Sequence, residues 1–416
     1  MSRLASRAEP AGVLTFEEAY EAVLEYCRTI KPPAPEQLPL LASLGRVLAE
    51  PVHADRDFPP FSRSTRDGYA VRAADLANLP AELQVIGQIK AGANFRRQIE
   101  SGETAEIMTG AAAPAGTDSV VMVEYTERDG DRVRIKRATA AGENVVSAGS
   151  EARAGQELLP RALRLSAALV AMAAAAGETM LSLYGKPRVT VLATGDELVD
   201  VDQAPGPRQI RNSNSYFLAA EVAARGGEPL RSPVAPDEES KLTALIQGAL
   251  NRSDMLLLSG GVSMGKFDLV EGALQKLGAR FFFTGARIQP GKPVVFGELA
   301  KDGGKIPFFG LPGNPVSVMV TFELFVSPVL DAISGATPKR LPACHARLRS
   351  AFKTKPGLTR FLPATLTGSL YDAEVDPVPW HGSGDLLASA KANCYLVIPP
   401  DREMIAAGEM VSVLVR

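Results

Sequence analysis

Arg188-Val189-Thr190-Val191-Leu192-Ala193-Thr194-Gly195-Asp196-Glu197-Leu198 is the stretch that decides the fold class. A short apolar run rich in β-branched residues, without alternation and closed by a Gly turn, reads as a strand buried on both faces. The unit repeats downstream. A helix is expected over 214–225, stopped by Gly226-Gly227, and a second over 238–250 leads into a strand over 254–258 that ends in Ser259-Gly260-Gly261. A helix over 270–277, strands over 280–283, 294–296 and 306–309, and a long helix from Pro315 continue the alternation. The pattern predicts a doubly wound α/β domain with a mostly parallel sheet over 187–336. In such sheets ligands lie beyond the carboxyl ends of the strands.

The flanks have a different texture. Thr15 and Glu18 form a T-x-x-E capping box, and Tyr20, Val23, Leu24 and Cys27 follow at helical spacing, so a helix is expected over 15–30, stopped by the prolines of 31–39. A second short helix is expected over 41–49, and a third over 165–176 that ends at Gly177. The last of these helices is expected to return the chain to the first ones, so that 1–51 and 156–186 group together. Between them, over 52–155, short strand-like runs at 82–86, 104–108, 119–123 and 132–135 are punctuated by Gly, Pro and Asp, which predicts a small β-rich domain. Short strands over 346–348, 360–366, 394–398 and 410–415 predict a C-terminal β domain over 337–416.

Composition bounds the function. The 416 residues exceed what one hydrophobic core serves, and a 46% hydrophobic, 22% charged chain with net charge −2 is an ordinary globular protein without the cationic excess of a nucleic-acid binder. Three scattered cysteines (Cys27, Cys344, Cys394) and three distant histidines offer neither a zinc site nor a disulfide framework. The N-terminus lacks an apolar signal core, and the Ala-rich run at 166–177 is shorter than the roughly 20 residues needed to span a bilayer. A cytoplasmic protein is expected.

Ser259-Gly260-Gly261-Val262-Ser263-Met264-Gly265 is either a tight strand-to-helix turn or a backbone cradle for phosphate. It matches neither G-x-G-x-x-G nor a Walker A loop. Gly310-Leu311-Pro312-Gly313-Asn314-Pro315 has the same placement, with Asn314 as candidate cap and Pro315 in the first turn of a helix; a plain helix start and an anion site are both open. Thr194-Gly195-Asp196-Glu197 places two carboxylates at a strand end, and Asp237 and Asp268 occupy equivalent loops. Asp237 is either a helix N-cap or one of a carboxylate set; beside a phosphate such a set implies a divalent cation, Mg²⁺. Lys292, between Pro290-Gly291 and Pro293, is either solvated or aimed at an anion. Asp67-Gly68, within Ser64-Thr65-Arg66-Asp67-Gly68-Tyr69-Ala70, is a turn or part of a site.

Taken in order, D-G-Y-A, T-G-D-E-L, G-G-V-S-x-G-x-x-D, P-G-K-P and L-P-G-N-P-V-S resemble the molybdopterin molybdenumtransferase family over nearly the whole chain. The resemblance implies a homodimer of four-domain subunits: a helical linker domain, a small β-rich domain, the α/β molybdopterin-binding domain and a C-terminal β-barrel. It implies that adenylylated molybdopterin and molybdate, with a divalent cation, become molybdenum cofactor and AMP, in a cleft shared between subunits. Asp67, Thr109, Glu197, Asp237, Asp268 and Lys292 match the family's catalytic positions, with Glu197, Asp237 and Asp268 as metal ligands. Thr194, Gly195, Ser259, Gly260, Gly261, Ser263, Pro312, Gly313, Asn314, Pro315, Arg360 and Ser383 would contact substrate. The oxyanion end departs from the family pattern: Gln289 stands where a second Lys is common, Glu151 where Asp is common, and Arg63 and Arg66 precede D-G-Y-A. Alternatives are a molybdopterin adenylyltransferase, which the D-G-Y-A segment and the C-terminal domain disfavour, and a non-catalytic molybdopterin-binding scaffold or paralogue. A molybdopterin adenylyltransferase and acceptor molybdoenzymes are the implied partners.

Overall fold

The computed structural model describes residues 12–261, 269–338, 341–369 and 371–415. Its centre is a six-stranded sheet in the order Glu228–Arg231, Arg188–Ala193, Met255–Ser259, Gly304–Leu311, Val295–Lys301, Arg280–Phe283. The first four strands are parallel. The last two pair antiparallel, as a hairpin and its neighbour. The strand–helix alternation expected to the end of this domain therefore fails after Arg280–Phe283: no helix separates Val295–Lys301 from Gly304–Leu311. The turn between them carries Asp302-Gly303, with Gly303 at φ +80°, a conformation open to glycine.

Both sheet faces are covered, which explains the unbroken apolar run Met255-Leu256-Leu257-Leu258 in a strand buried at every position. Helices Glu239–Leu250 and Leu269–Lys276 pack on one face around Ile246, Leu256, Leu274 and Phe308. On the other face helix Ser213–Ala224, the first helix Phe16–Cys27 and the Pro315–Ile333 helical run close a larger core, which reaches Phe361, Tyr395 and Leu414 of the C-terminal barrel. Pro315–Ile333 is apolar enough to cross a membrane (mean hydropathy 1.8), yet 83% of it is buried inside the protein, as a core helix is.

The first helix begins as its sequence requires: Glu18 N–H donates to Thr15 Oγ1 (3.2 Å) and Thr15 N–H to Glu18 Oε2 (3.0 Å). The helix expected over 41–49 does not form. Leu40–Ser43 makes one 3₁₀ turn, Gly45 turns back at φ +75°, and Val47 and Leu48 bridge to Arg164 and Leu183. Long-range pairing there outweighs local propensity. Arg164 then ties this linker region to the α/β domain: Nη1 donates to the carbonyls of Gly45 (2.8 Å) and Arg225 (2.9 Å), and Nη2 to Asp331 Oδ1 (2.8 Å).

The β-rich segment is a mixed six-stranded sheet in the order Ser119–Met122, Gly68–Val71, Glu103–Ile107, Ala81–Ile89, Arg132–Ile135, Thr126–Asp129. At the C-terminus, Thr359–Gly368, Ala373–Pro377, Ala343–Leu348, Met410–Val415 and Cys394–Ile398 close into a barrel by the pairing of the first strand with the last. A two-residue strand, Ile288–Gln289, adds to that barrel beside Thr359 and Arg360. Through it the Pro290-Gly291-Lys292-Pro293 segment is suspended between sheet and barrel.

Candidate active site

The glycine loops meet at the carboxyl edge of the parallel strands. Gly260 sits at φ +90°, and a Cβ there would lie 2.3 Å from the Thr194 carbonyl oxygen, so only glycine permits this approach. A Cβ on Gly313 would come within 3.9 Å of Gly260 Cα, which brings the second loop alongside the first. Gly260 N–H donates to the Leu311 carbonyl (3.3 Å). Asn214, in the first turn of helix Ser213–Ala224, joins the loops: its Nδ2 donates to Ser259 Oγ (3.1 Å) and to the Gly313 carbonyl (2.7 Å). No motif marks Asn214; its only signal in the sequence is an amide one turn into a helix that follows T-G-D-E-L.

Asp237 is not a helix cap. Helix Glu239–Leu250 begins two residues later, and Asp237 Oδ1 instead accepts from Thr194 Oγ1 (2.9 Å). Its backbone N–H donates to Asp196 Oδ1 (3.2 Å), so two carboxylate residues flank Thr194. Glu197 folds back over Gly195, where a Cβ would stand 2.7 Å from Glu197 Oε2. Ser263 and Asp268 lie outside the described residues. Among the described residues no three carboxylate, His or Cys side chains converge as a closed metal cage. An open set of hard oxygen donors suits Mg²⁺, which takes one or two carboxylates and completes its shell with water and substrate phosphate.

The second loop opens onto a cavity of about 620 Å³ between sheet and barrel, lined by Gln289, Lys292, Gly313, Asn314, Trp380 and Ser383 among others. Asn314 does not cap its own helix; its Nδ2 donates to Ser383 Oγ (2.9 Å), a contact from α/β domain to barrel. Val316 N–H, one of the orphan donors of that helix start, goes to the Ser383 carbonyl (3.0 Å). The helix terminus is thus partly satisfied by the barrel, which shifts the anion-binding role to side chains. Lys292 is half-buried in this cavity and without a carboxylate partner among the described residues. Arg360 lies one layer back. It is 8% exposed, pairs in register with Gln289, donates Nη1 to the Leu358 carbonyl (3.2 Å) and has no carboxylate partner among the described residues; burial lowers its pKa. Trp380, which sequence reading passed over, shapes the same wall.

Asp67 and Thr109 form a separate cluster in the β-rich segment. Asp67 Oδ1 accepts from Thr109 N–H (2.6 Å) and Thr109 Oγ1 (2.8 Å), which holds its carboxyl below the usual carboxylate range. Arg63 and Glu151, two of the departures from the family pattern, pair with each other through Arg63 Nη2 and Glu151 Oε1 (3.2 Å). Arg63 is therefore not a free cation beside Asp67. Among the described residues no hydrogen bond or ion pair joins Asp67 or Thr109 to the α/β loops of the same chain.

Comparisons with known proteins identify the family. Residues 14–177 match the model of the "MoeA N-terminal region (domain I and II)", 190–332 that of a "Probable molybdopterin binding domain" and 345–415 that of the "MoeA C-terminal region (domain IV)". The chain is 37% identical over 388 residues to a molybdopterin molybdenumtransferase of Nostoc sp., covering 91% of this chain and 88% of the relative. It is 34% identical over 403 residues to one of Bacillus subtilis, covering 95% and 93%. The crystal structure of a molybdopterin biosynthesis moeA protein from Pyrococcus horikoshii OT3 superposes with a TM-score of 0.78 at 30% identity, covering 97% of this chain and all of that one. Matched over 14–177, 190–332 and 345–415 and 34–37% identical to these relatives along nearly its whole length, the chain belongs to the molybdopterin molybdenumtransferases.

Proposed function

We propose that this chain converts adenylylated molybdopterin and molybdate into molybdenum cofactor and AMP at the carboxyl edge of its α/β sheet. The observation that carries the reading is the continuity of two unlike sites. A glycine-cradled edge with carboxylates opens, across Gly313-Asn314, onto a cavity holding Lys292 and Ser383. The nucleotide and pyrophosphate lie along Gly260, Gly261 and Gly313, where the absence of side chains lets phosphate approach the backbone. Asp237 and Glu197, with Asp268, would hold Mg²⁺, which supplies neutralisation of the charge on the departing phosphate. Thr194 fixes the Asp237 carboxylate, and Asn214 fixes the spacing of the loops. Molybdate is a substrate; Lys292 and Ser383 hold it directly, with Arg360 adding positive potential from behind the wall.

Asp67 and Thr109 reach the cleft from a second copy of the chain. What supports this is that, among the described residues, neither is linked to the α/β loops of its own subunit, and the working unit is a homodimer. The same reading puts the enzyme in the cytoplasm, consistent with three free cysteines, and draws adenylylated substrate from a molybdopterin adenylyltransferase for delivery to acceptor molybdoenzymes.

Purified protein mixed with adenylylated molybdopterin, Mg²⁺ and molybdate should release AMP only when molybdate is present, and Lys292→Ala should slow that release about 100-fold. Molybdate-independent release, or none, overturns the assignment. The pH profile tests Asp67. Its folded-state pKa is depressed by Thr109, so the contact stabilises the fold at neutral pH and is lost as pH falls through the folded value. Thr109→Val removes the hydroxyl donor but keeps the backbone one, and should move the acid limb of the rate profile to higher pH; an unmoved limb shows that Asp67 does not govern it.

A further inference from the structure

The opposite, amino-terminal edge of the same sheet holds a larger cavity, about 720 Å³, that none of the chemistry above uses. It lies where the end of the first helix crosses the starts of strands Arg280–Phe283 and Gly304–Leu311. Gly304–Leu311 runs eight residues from this edge to the catalytic one, roughly 25 Å at the rise of a strand, so the two sites are separate.

One wall is apolar: Ile30, Pro33, Phe282, Pro307 and Ile333, with Tyr26 at the back. The charged lining is four cations, Lys31, Arg280, Lys301 and Lys305, against two carboxylates, Asp254 and Glu298. Each carboxylate is already shared. Glu298, 7% exposed, pairs with both Arg280 (3.5 Å) and Lys305, while Asp254 lies by Lys301 (3.7 Å) and Arg188 (3.5 Å). Lys31 is exposed and has no ion pair among the described residues. The cavity is therefore locally cationic on a chain whose net charge is −2. The Arg280 guanidinium stacks over Phe282 (5.2 Å to the ring centroid), so charge and flat apolar surface adjoin.

We propose that this cleft is a second ligand site, for a nucleoside monophosphate. The base lies against the Phe282–Pro307–Pro33 wall, and the phosphate, carrying about −1.5 to −2 at neutral pH, faces Lys31, Lys301 and Lys305. Its volume is in the range of about 300–1,000 Å³ found for small-ligand sites.

Photo-labelling of the full-length protein with 8-azido-AMP, followed by peptide mapping, tests the site. Label is expected on residues 26–33, 280–283 or 298–307, in addition to any on the catalytic segments at 194–198, 259–261, 288–293 and 312–315. Label confined to those segments overturns the proposal. Lys31→Glu should lower cleft labelling roughly tenfold while catalytic-loop labelling and molybdate-dependent AMP release stay unchanged. Cleft labelling that survives Lys31→Glu at full yield overturns the proposal as well. Adenosine should compete at the cleft at least roughly tenfold more weakly than AMP, because it lacks the dianion. Equal competition shows that no phosphate is recognised, and the nucleotide class fails.

Discussion

Gly260→Ala should lower molybdate-dependent AMP release at least about 100-fold and destabilise the α/β domain by about 3 kcal/mol. Two separate penalties act at this position. At φ +90° an alanine is strained wherever it sits, and here its Cβ would lie 2.3 Å from the Thr194 carbonyl oxygen, a distance at which backbone has to move. Thr194 cannot yield freely, because its N–H donates to the Ser259 carbonyl (3.0 Å) and its hydroxyl holds Asp237. Displacement of Thr194 therefore carries into the carboxylate as well as the cradle. Gly130→Ala is the control: that glycine has φ +61° with nothing within 4 Å of its Cβ, so it feels strain alone, about 1 kcal/mol, and should leave turnover intact. Thermal unfolding and AMP release measured on both variants separate the effects. Turnover in Gly260→Ala within threefold of the parent would show that the loop does not contact the reacting groups.

The elements that sequence reading placed correctly are those whose cause is local. The Thr15–Glu18 box fixes a helix start through atoms three residues apart, and 188–193 is strand because every residue after Arg188 is buried between helices. The failures have non-local causes. Leu41 and Leu44 look like the apolar face of a helix, but in the structure they are 90% and 63% exposed, while Val47 and Leu48 are spent on bridges to residues more than a hundred positions away. Asn314 has the chemistry of an N-cap, yet Ser383, 69 residues on, takes its side chain. The hairpin Val295–Lys301 to Gly304–Leu311 carried its signal in Asp302-Gly303; the strands on either side read too short because Glu298, Lys301 and Lys305 interrupt the apolar run. Glu298 is nonetheless 7% exposed and tolerated there because Arg280 and Lys305 accompany it.

The site divides in the same way. Gly260, Gly313 and Thr194 were legible because each follows a strand in a repeating unit, and a left-handed or close-packed backbone position demands glycine. Asp67 and Thr109 were legible only through family resemblance. Forty-two residues separate them, nothing periodic joins them, and the hydrogen bonds between them exist because two different strands of one sheet end side by side. Arg63 and Glu151 illustrate the cost of reading departures singly. Arg63 adds a cation before D-G-Y-A while Glu151 keeps the charge of the Asp it replaces; paired at 3.2 Å the two largely cancel, and Lys292 remains the cation lining the cavity beside Gly313.

Asp237→Asn isolates charge from shape at the catalytic edge. The amide is isosteric and its Oδ1 can still accept from Thr194 Oγ1, so the Thr194 loop, the Gly260 approach and the Asn214 ties all persist. What disappears is one negative charge beside Asp196, whose Oδ1 accepts the Asp237 backbone N–H in either case. If Asp237 only orders the loop, the variant should behave as the parent. If it holds Mg²⁺ against the phosphates, kcat should fall at least about 100-fold, the Mg²⁺ concentration for half-maximal rate should rise, and thermal stability should stay within about 1 kcal/mol. Asp237→Ala should lose the same rate and additional stability, since Thr194 Oγ1 then lacks its acceptor. A kcat within threefold of the parent in Asp237→Asn, at saturating and at limiting Mg²⁺, would remove Asp237 from the metal set. Glu197 above Gly195 and Asp196 beside Thr194 would then be the carboxylates left on this edge among the described residues.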